Sequence, residues 1–184
     1  AFAQFRAQGY PVLNVYPVGR GATLDVLVPV DSELQNLEDL KGKRVFTGPP
    51  SGAAAVTSES LIRALTGYEA NKDYKAIRLP WGGGLQAMMD GKLHVYVRPA
   101  AVGSAAMVML GTRKKFRLLG ATKNLVQSKA WERYTSVTPF VTPHMVSVGP
   151  GIDPASPLPM AQYPYPILVT NSDQDSTEVR NIVA

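Results

Sequence analysis

The chain has 184 residues, of which 45% are hydrophobic and 18% are charged. This composition is typical of a globular protein, and the apolar runs are too short to span a bilayer. The absence of cysteine excludes disulfides, thiolate catalysis and cysteine-based zinc sites. The net charge of +5 comes from lysines and arginines that are scattered along the chain, so we predict no nucleic-acid partner.

The first third of the sequence predicts two strands and two helices. Residues 24–28 are a mainly apolar run, which is typical of a strand buried on both faces. Asn36 is predicted to cap a short helix, and residues 45–47 form the second strand. Ser51 is predicted to cap a longer helix, which Gly67 ends.

The middle of the sequence continues the same alternation. Residues 76–79 predict a third strand, which a short helix follows. Residues 93–97 predict a fourth strand, and Pro99 opens a helix that runs to Leu110. Residues 116–119 predict a fifth strand. Because strands and helices alternate without a hairpin signal, we expect βαβ units and a parallel sheet.

After residue 122 the sequence no longer alternates strand and helix patterns and becomes rich in proline. Trp131 and Tyr134 predict one more amphipathic helix. Of the 15 prolines, 8 fall between residues 139 and 166, a density that predicts extended surface polypeptide rather than regular sheet. Residues 167–170 predict a short strand. The chain starts without Met or a signal peptide and stops in a periodic run, so we interpret it as an internal fragment.

Three loops each follow a predicted strand and precede a predicted helix. They lie at residues 48–53, 80–84 and 98–100, and parallel strands would bring them to one edge of the sheet. Helix starts offer unpaired N–H groups and a partial positive charge, which suit a small anion. The predicted ligand-binding residues are Ser51, Gly52, Ala53, Trp81, Gly83 and Arg98.

Each of these residues also has a plainer interpretation. Arg98 is the preferred ionic anchor because a guanidinium holds a carboxylate bidentately, but it is alternatively a surface arginine paired with Asp90. Ser51 is either a ligand contact or an ordinary helix cap, and Trp81 either walls a pocket or plugs the edge of the lobe. No base is placed for Ser51 and no ligand cluster stands out, so we predict neither catalytic nor metal-binding residues.

The sequence Asn-Leu-Glu-Asp-Leu-Lys-Gly-Lys-Arg-Val at 36–45, followed by Gly-Pro-Pro-Ser-Gly at 48–52, resembles the type II periplasmic solute-binding proteins. Among them it is most similar to the TAXI family, the extracytoplasmic receptors of TRAP transporters. Met-Asp-Gly-Lys-Leu at 89–93 and Arg-Leu-Leu at 117–119 extend this resemblance, which is concentrated in residues 24–122.

The resemblance implies an α/β fold with parallel-sheet lobes, helices on both faces and a hinge between two lobes. Residues 1–30 would hold the remainder of the first lobe and the hinge, 31–120 the second lobe, and 121–184 the return to the first. It further implies a periplasmic location and no enzyme activity or cofactor. The expected partners are a small anionic solute and the membrane subunits of a TRAP transporter.

The resemblance leaves the solute and the partner open. The expected solute is a small carboxylate of the amino-acid or dicarboxylate type. One alternative is an ABC-type receptor for a sulfonate, nitrate or aromatic acid, and another is a type II-fold enzyme or an effector-sensing domain.

Overall fold

The computed structural model describes residues 12–17, 22–100, 116–119, 126–138, 141–147, 152–163, 167–171 and 173–178. The chain forms two compact units, one made of Ala1–Ala22 with Pro164–Ala184 and the other of Thr23–Tyr163. The boundaries of these units differ from those of the predicted lobe segments 1–30, 31–120 and 121–184. Those ranges describe lobes of a complete receptor and stay a prediction.

The first unit contains a two-stranded antiparallel sheet. Strand β1 (Val12–Pro17) pairs with strand β9 (Ile167–Asn171), so that Val12 lies opposite Asn171. The strand predicted at 167–170 is therefore confirmed. A β-bulge or similar irregularity between Asn14 and Tyr16 interrupts the register of the pair.

The second unit is built on a seven-stranded sheet with the order β4-β3-β5-β2-β8-β7, to which β6 is added by pairing with β2. Its strands are β2 (Ala22–Pro29), β3 (Arg44–Gly48), β4 (Lys75–Arg78), β5 (Val95–Ala100), β6 (Phe116–Leu119), β7 (Thr142–Val146) and β8 (Leu158–Tyr163).

The direction of the strands is mixed. β3 runs parallel to both β4 and β5, as the alternation of strands and helices predicted. The expectation of a wholly parallel sheet is wrong, because β2 runs antiparallel to β5 and β6, and β7 runs antiparallel to β8. The alternation indicates how neighbouring elements connect, but β2 pairs with strands that lie far along the chain.

A 3₁₀ helix and three α-helices are described in this unit: the 3₁₀ helix Leu37–Leu40, α1 (Ala53–Thr66), α2 (Trp81–Met89) and α3 (Lys129–Val137). Asn36 caps the 3₁₀ helix as predicted, and Asp39 completes a capping box. Among the described residues, no helix is long and apolar enough to cross a membrane.

One side of the sheet is covered by α1 and α3. Leu61 and Ile62 of α1, with Trp131 of α3, pack in one cluster with strand side chains that are almost completely buried. We call this side the apolar face, and its strand residues include Leu24, Val26, Val28, Val45, Val95 and Val97.

Alternate residues of the same strands point to the opposite side, which α2 covers through Met88. We call this side the mixed face, and its strand residues include Thr23, Asp25, Leu27, Phe46, Tyr96 and Arg98. With helices on both faces of the sheet, the predicted α/β fold class is confirmed.

The proline-rich region departs from its prediction. Residues 139–166 were expected to be extended surface polypeptide, but β7 and β8 lie within this range and pair in the main sheet. β7 is an edge strand, where a residue such as Pro143 need not donate to the ladder. Each proline lacks a backbone N–H donor, but a strand can still form when its prolines lie at positions where the sheet needs no donor.

The helix predicted to start at Pro99 is also different. β5 continues through Pro99 to Ala100, and Pro99 lies opposite Leu24 of β2. The fixed φ of proline is compatible with extended backbone, and pairing with β2 keeps this segment in the sheet. The remainder of the predicted helix, residues 101–110, lies outside the described residues.

Candidate functional site

The carboxyl ends of β3, β4 and β5 lie at one edge of the sheet, because β3 stands between two parallel neighbours. The segments that leave β3 and β4 therefore meet at this edge, whereas the third predicted loop, 98–100, belongs to β5 itself. Two of the predicted site residues are in direct contact there. The guanidinium carbon of Arg98 lies 4.9 Å from the centroid of the Trp81 ring, a cation–π distance.

Trp81 packs against an aromatic group made of Phe46 and Tyr96. The Phe46 ring lies edge-on to Trp81 with centroids 5.8 Å apart, and it stacks on Tyr96 at 4.6 Å with an interplanar angle of 11°. Gly84 makes this packing possible, because a Cβ there would lie 2.4 Å from the Phe46 ring. The Trp-Gly-Gly-Gly sequence thus includes one glycine that the aromatic packing requires.

Asp25 lies beside Arg98 because β2 pairs with β5. The two residues are directly opposite in the antiparallel register, and Asp25 is 0% exposed. Its Oδ1 accepts a hydrogen bond of 2.6 Å from the Thr23 hydroxyl. Its Oδ2 has no hydrogen-bond partner and belongs to none of the ion pairs in the described part of the chain.

Two more polar atoms of this cluster, Tyr96 Oη and Arg98 Nε, are buried without a hydrogen bond of good geometry, although the Arg98 guanidinium lies close enough to act on the Tyr96 hydroxyl. Buried polar groups are nearly always hydrogen-bonded, so three such atoms on neighbouring positions of the mixed face call for an explanation. Arg98 also takes part in none of the ion pairs between described residues. The predicted alternative, a pair between Arg98 and Asp90, is wrong, because Asp90 pairs with Lys92 at 3.1 Å.

Burial dominates the electrostatics of the cluster. It raises the pKa of Asp25 to about 7, although the Thr23 hydrogen bond and the positive charge of Arg98 act in the opposite direction. Burial likewise raises the pKa of the Tyr96 hydroxyl, and Arg98 partly offsets this effect. Asp25 therefore changes its charge near neutral pH, which is unusual for an aspartate.

The turn between β3 and α1 reaches the same edge. The N–H of Gly52 donates to the carbonyl of Pro49 at 3.1 Å, which closes a turn with Ser51 at a φ of 57°. The helix cap is Gly52, so the prediction that Ser51 caps α1 is wrong. The turn holds Ser51 in left-handed backbone one position before the cap, and its side chain is exposed.

The start of α1 is left without a side-chain cap, since no described side chain accepts a hydrogen bond from its first turn. Ala53 is its first residue and is exposed. Gly48 has a φ of 134°, and a Cβ there would lie 2.9 Å from the Ala55 nitrogen, so the strand passes very close to the helix start. Gly83, in the first turn of α2, is exposed as well.

The sequence analysis missed Thr23, Asp25 and Tyr96 as members of the site. A signal was present in β2, because an acid inside an otherwise apolar buried strand needs a reason to be there. The polar residues Thr23 and Asp25 are two apart and share a face of the strand.

Two other titratable side chains, in β4 and next to β5, have partners of their own. Arg78 forms hydrogen bonds of 2.9 and 2.7 Å to the Glu59 carboxylate, so it is a structural partner rather than a free cation. His94 Nδ1 accepts from the Arg44 N–H at 3.0 Å, and partial burial with the nearby positive charges of Arg44 and Lys43 lowers its pKa. Within the described ranges, no cluster of His, Cys, Asp and Glu is suited to a metal ion.

Comparison with solved structures shows the fold. An arginine-bound single-residue variant of ArgBP from T. maritima is 13% identical, with a TM-score of 0.50 over 97% of this chain and 59% of that one. The periplasmic aliphatic sulphonate binding protein SsuA from Escherichia coli is 19% identical, with a TM-score of 0.46 over 62% of this chain and 35% of that one. The chain thus spans less than two thirds of the length of either structure.

No curated protein matches the chain at a significant level. The fold is the mixed α/β fold of periplasmic-binding-protein-like structures, in agreement with the resemblance seen in the sequence. The model of the NMT1-like family matches residues 12–183, and the chain therefore belongs to the NMT1-like family.

Proposed function

We propose that the chain is the binding part of an extracytoplasmic solute receptor that captures a small carboxylate at the edge formed by β3, β4 and β5. The observation that carries the proposal is Arg98, a half-buried guanidinium that contacts Trp81 and forms no ion pair with any described residue. A cation that is partly desolvated and unpaired favours an anionic ligand.

Each part of the edge has a role in this proposal. The planar fork of Arg98 binds two carboxylate oxygens at once, and the Trp81 ring restricts the side chain to one orientation. The uncapped start of α1, at Gly52 and Ala53, supplies backbone N–H groups and a partial positive charge at the same edge. Ser51 adds a hydroxyl next to them.

The receptor would act by closing two lobes over the solute and then docking to membrane subunits of a TRAP transporter in the periplasm. The family membership and the fold support a receptor, while the TRAP partner and the carboxylate come from the resemblance in residues 36–52. Hinge closure is a common way for a binding protein to bury its ligand.

A second candidate is an ABC-type receptor for a sulfonate or an aromatic acid. The partly exposed Trp81 ring, which packs on the buried Phe46, favours it, because a planar or apolar tail can pack against Trp81 while Arg98 binds the acidic end. A guanidinium donates hydrogen bonds to sulfonate oxygens as readily as to carboxylate oxygens, so geometry at Arg98 does not separate the two candidates.

Thermal unfolding in the presence of glutamate, succinate, ethanesulfonate, benzoate and phosphate tests the proposal. A ligand at about 100-fold above its Kd should raise the Tm by about 5–10 °C. We expect this shift with a carboxylate, its loss in Arg98→Ala, and its retention in Arg63→Ala, an exposed arginine on α1 that matches the change in charge.

The other outcomes are informative in different ways. A shift with ethanesulfonate or benzoate alone would select the second candidate. A shift that survives Arg98→Ala would move the anchor to the turn at Ser51. Unchanged Tm values with every anion would contradict the proposal.

A further inference from the structure

Asp25 is the feature of the site that capture of an anion does not use. A carboxylate that is fully buried opposite the proposed anchor would repel an incoming anion if it carried its charge. Its Oδ2 has neither a hydrogen-bond partner nor a cation within ion-pair distance among the described residues. The strand position opposite the proposed anchor therefore holds a buried acidic group with one oxygen that has no hydrogen-bond partner.

The charged and titratable groups around Asp25 are few. β5 contributes Tyr96 and Arg98 on the same face, and Arg98 is the charge that acts on Asp25. Arg117 of β6 lies opposite Val28 and therefore on the apolar face, where its guanidinium donates to two carbonyl oxygens in the loop after β2. Tyr163 of β8 also belongs to the apolar face, and its hydroxyl lies 2.7 Å from a tyrosine hydroxyl of α3.

α2, which covers the mixed face, has no charged side chain between Trp81 and Met89. The Thr23 hydroxyl next to Asp25 does not titrate in the physiological range. Of the described residues that pack around it, Arg98 is thus the positive group on which the ionised form of Asp25 depends.

We propose that Asp25 is a proton switch in this site: an anion bound by Arg98 is accepted together with one proton, which binds to Oδ2 of Asp25. This inference rests on the proposed function and adds its regulation. The proton comes from solvent, the Asp25 carboxylate becomes a neutral carboxylic acid, and the ligand keeps its charge. The new O–H is a donor, so Oδ2 changes from a repelling charge to a hydrogen-bonding group.

The direction of the effect follows from the charges. In the free protein burial raises the pKa of Asp25 to about 7, and the Thr23 hydrogen bond and then the charge of Arg98 hold it below the value that burial alone would produce. A bound anion neutralises Arg98 and adds a negative charge nearby, and both changes raise the pKa of Asp25 in the complex. Anion affinity is therefore highest on the acidic side of neutrality and falls as the pH rises through the free-state pKa.

Calorimetric titration with propionate and with ethanesulfonate measures this linkage. Neither anion titrates between about pH 6 and 9, so proton uptake comes from the protein. In buffers that differ in ionisation enthalpy, we expect wild type to take up close to one proton per anion near pH 8. Its affinity should fall by up to about tenfold for each pH unit above 7.

Two variants test whether Asp25 is the group that takes up the proton. Asp25→Asn, which is nearly isosteric and cannot take up the proton, should bind both anions with pH-independent affinity and no proton uptake. Asp31→Asn, an exposed aspartate just after β2, is the matched control and should retain the uptake of wild type.

Two results would overturn the switch while leaving the receptor intact. One is anion binding by wild type without proton uptake. The other is proton release, which would indicate a ligand that presents a positive group to Asp25. Failure of both anions and of the wider panel to bind would instead contradict the proposed function itself.

A measurement on wild type alone guards against a variant that does not fold. The ¹³C chemical shift of the Asp25 carboxyl, followed against pH, should give a higher pKa with saturating propionate or ethanesulfonate, whichever of them binds, than in the free protein. An unchanged pKa in the presence of bound anion would overturn the proposal.

Discussion

The two faces of the seven-stranded sheet have different chemistry although the same strands build both. On the apolar face, Leu24, Val26 and Val97 pack under α1 and α3 in one continuous cluster. On the mixed face, the residues between them include Asp25 and Arg98, whose buried polar atoms lack partners. One side of each strand contributes stability, and this allows the other side to keep polar groups that are costly to bury.

The comparison predicts that the apolar face dominates the free energy of unfolding. Ile62 of α1 is 1% exposed, so Ile62→Ala should lower that free energy by about 2–5 kcal/mol through lost burial and a cavity. Urea unfolding measures this change. In the same variant, the rise in Tm caused by a bound anion should match wild type, and its loss would show that the two faces are not independent.

The mixed face should make the free energy of unfolding depend on pH, because Asp25 titrates there. The pKa of Asp25 rises from about 3.9 in the unfolded chain to about 7 in the folded one. Folding therefore favours the protonated form, and this contribution is present below the unfolded pKa and lost as the pH rises to 7. Asn does not titrate, so Asp25→Asn should not lose this stability as the pH rises. Between pH 4 and pH 8, the free energy of unfolding of the variant should therefore rise relative to that of wild type by up to about 4 kcal/mol.

Urea unfolding of both proteins across this range measures the difference. Asp31→Asn is again the control, and it should follow the wild-type profile. A constant offset between Asp25→Asn and wild type at every pH would contradict the raised pKa.

The smallest expected effect comes from Gly84→Ala, which tests whether the packing of Phe46 positions Trp81 for anion binding. In Gly84→Ala the new Cβ would lie 2.4 Å from the Phe46 ring, so we expect a loss of about 1–3 kcal/mol and a smaller anion-induced rise in Tm. Gly82→Ala in the same helix meets nothing within 4 Å and should keep both values or gain slight stability. Equal behaviour of the two variants would show that the aromatic group does not position Trp81.

Much of the fold was readable from local pattern. The periodicity of Leu61 and Leu65 with the terminal Gly67 indicated α1 and its end, and Asn36 indicated the 3₁₀ helix. The cap of α1 was misplaced by one residue, because the turn that Gly52 closes with Pro49 depends on backbone geometry that residue type does not specify.

The candidate site was only partly predictable. Trp81 and Arg98 were identified from their loops, and the structure brings them together. Tyr96 and Asp25 were missed although Thr23 and Asp25 share a face of β2, because local spacing does not show which distant strand will pair opposite them. The functional role of each of these residues stays a prediction until anion binding is measured.

The sequence by itself determined the local elements between residues 24 and 97, the parallel arrangement of β3 with its neighbours and the candidacy of Arg98, since propensity, capping and alternation act over a few residues. Only the tertiary structure decided that β2 lies antiparallel to β5, and hence that Asp25 is opposite Arg98. That pairing joins segments far apart in the chain, and burial of two complementary faces selects it. The electrostatics of the site follow from the pairing, because burial and the neighbouring guanidinium together set the charge of Asp25.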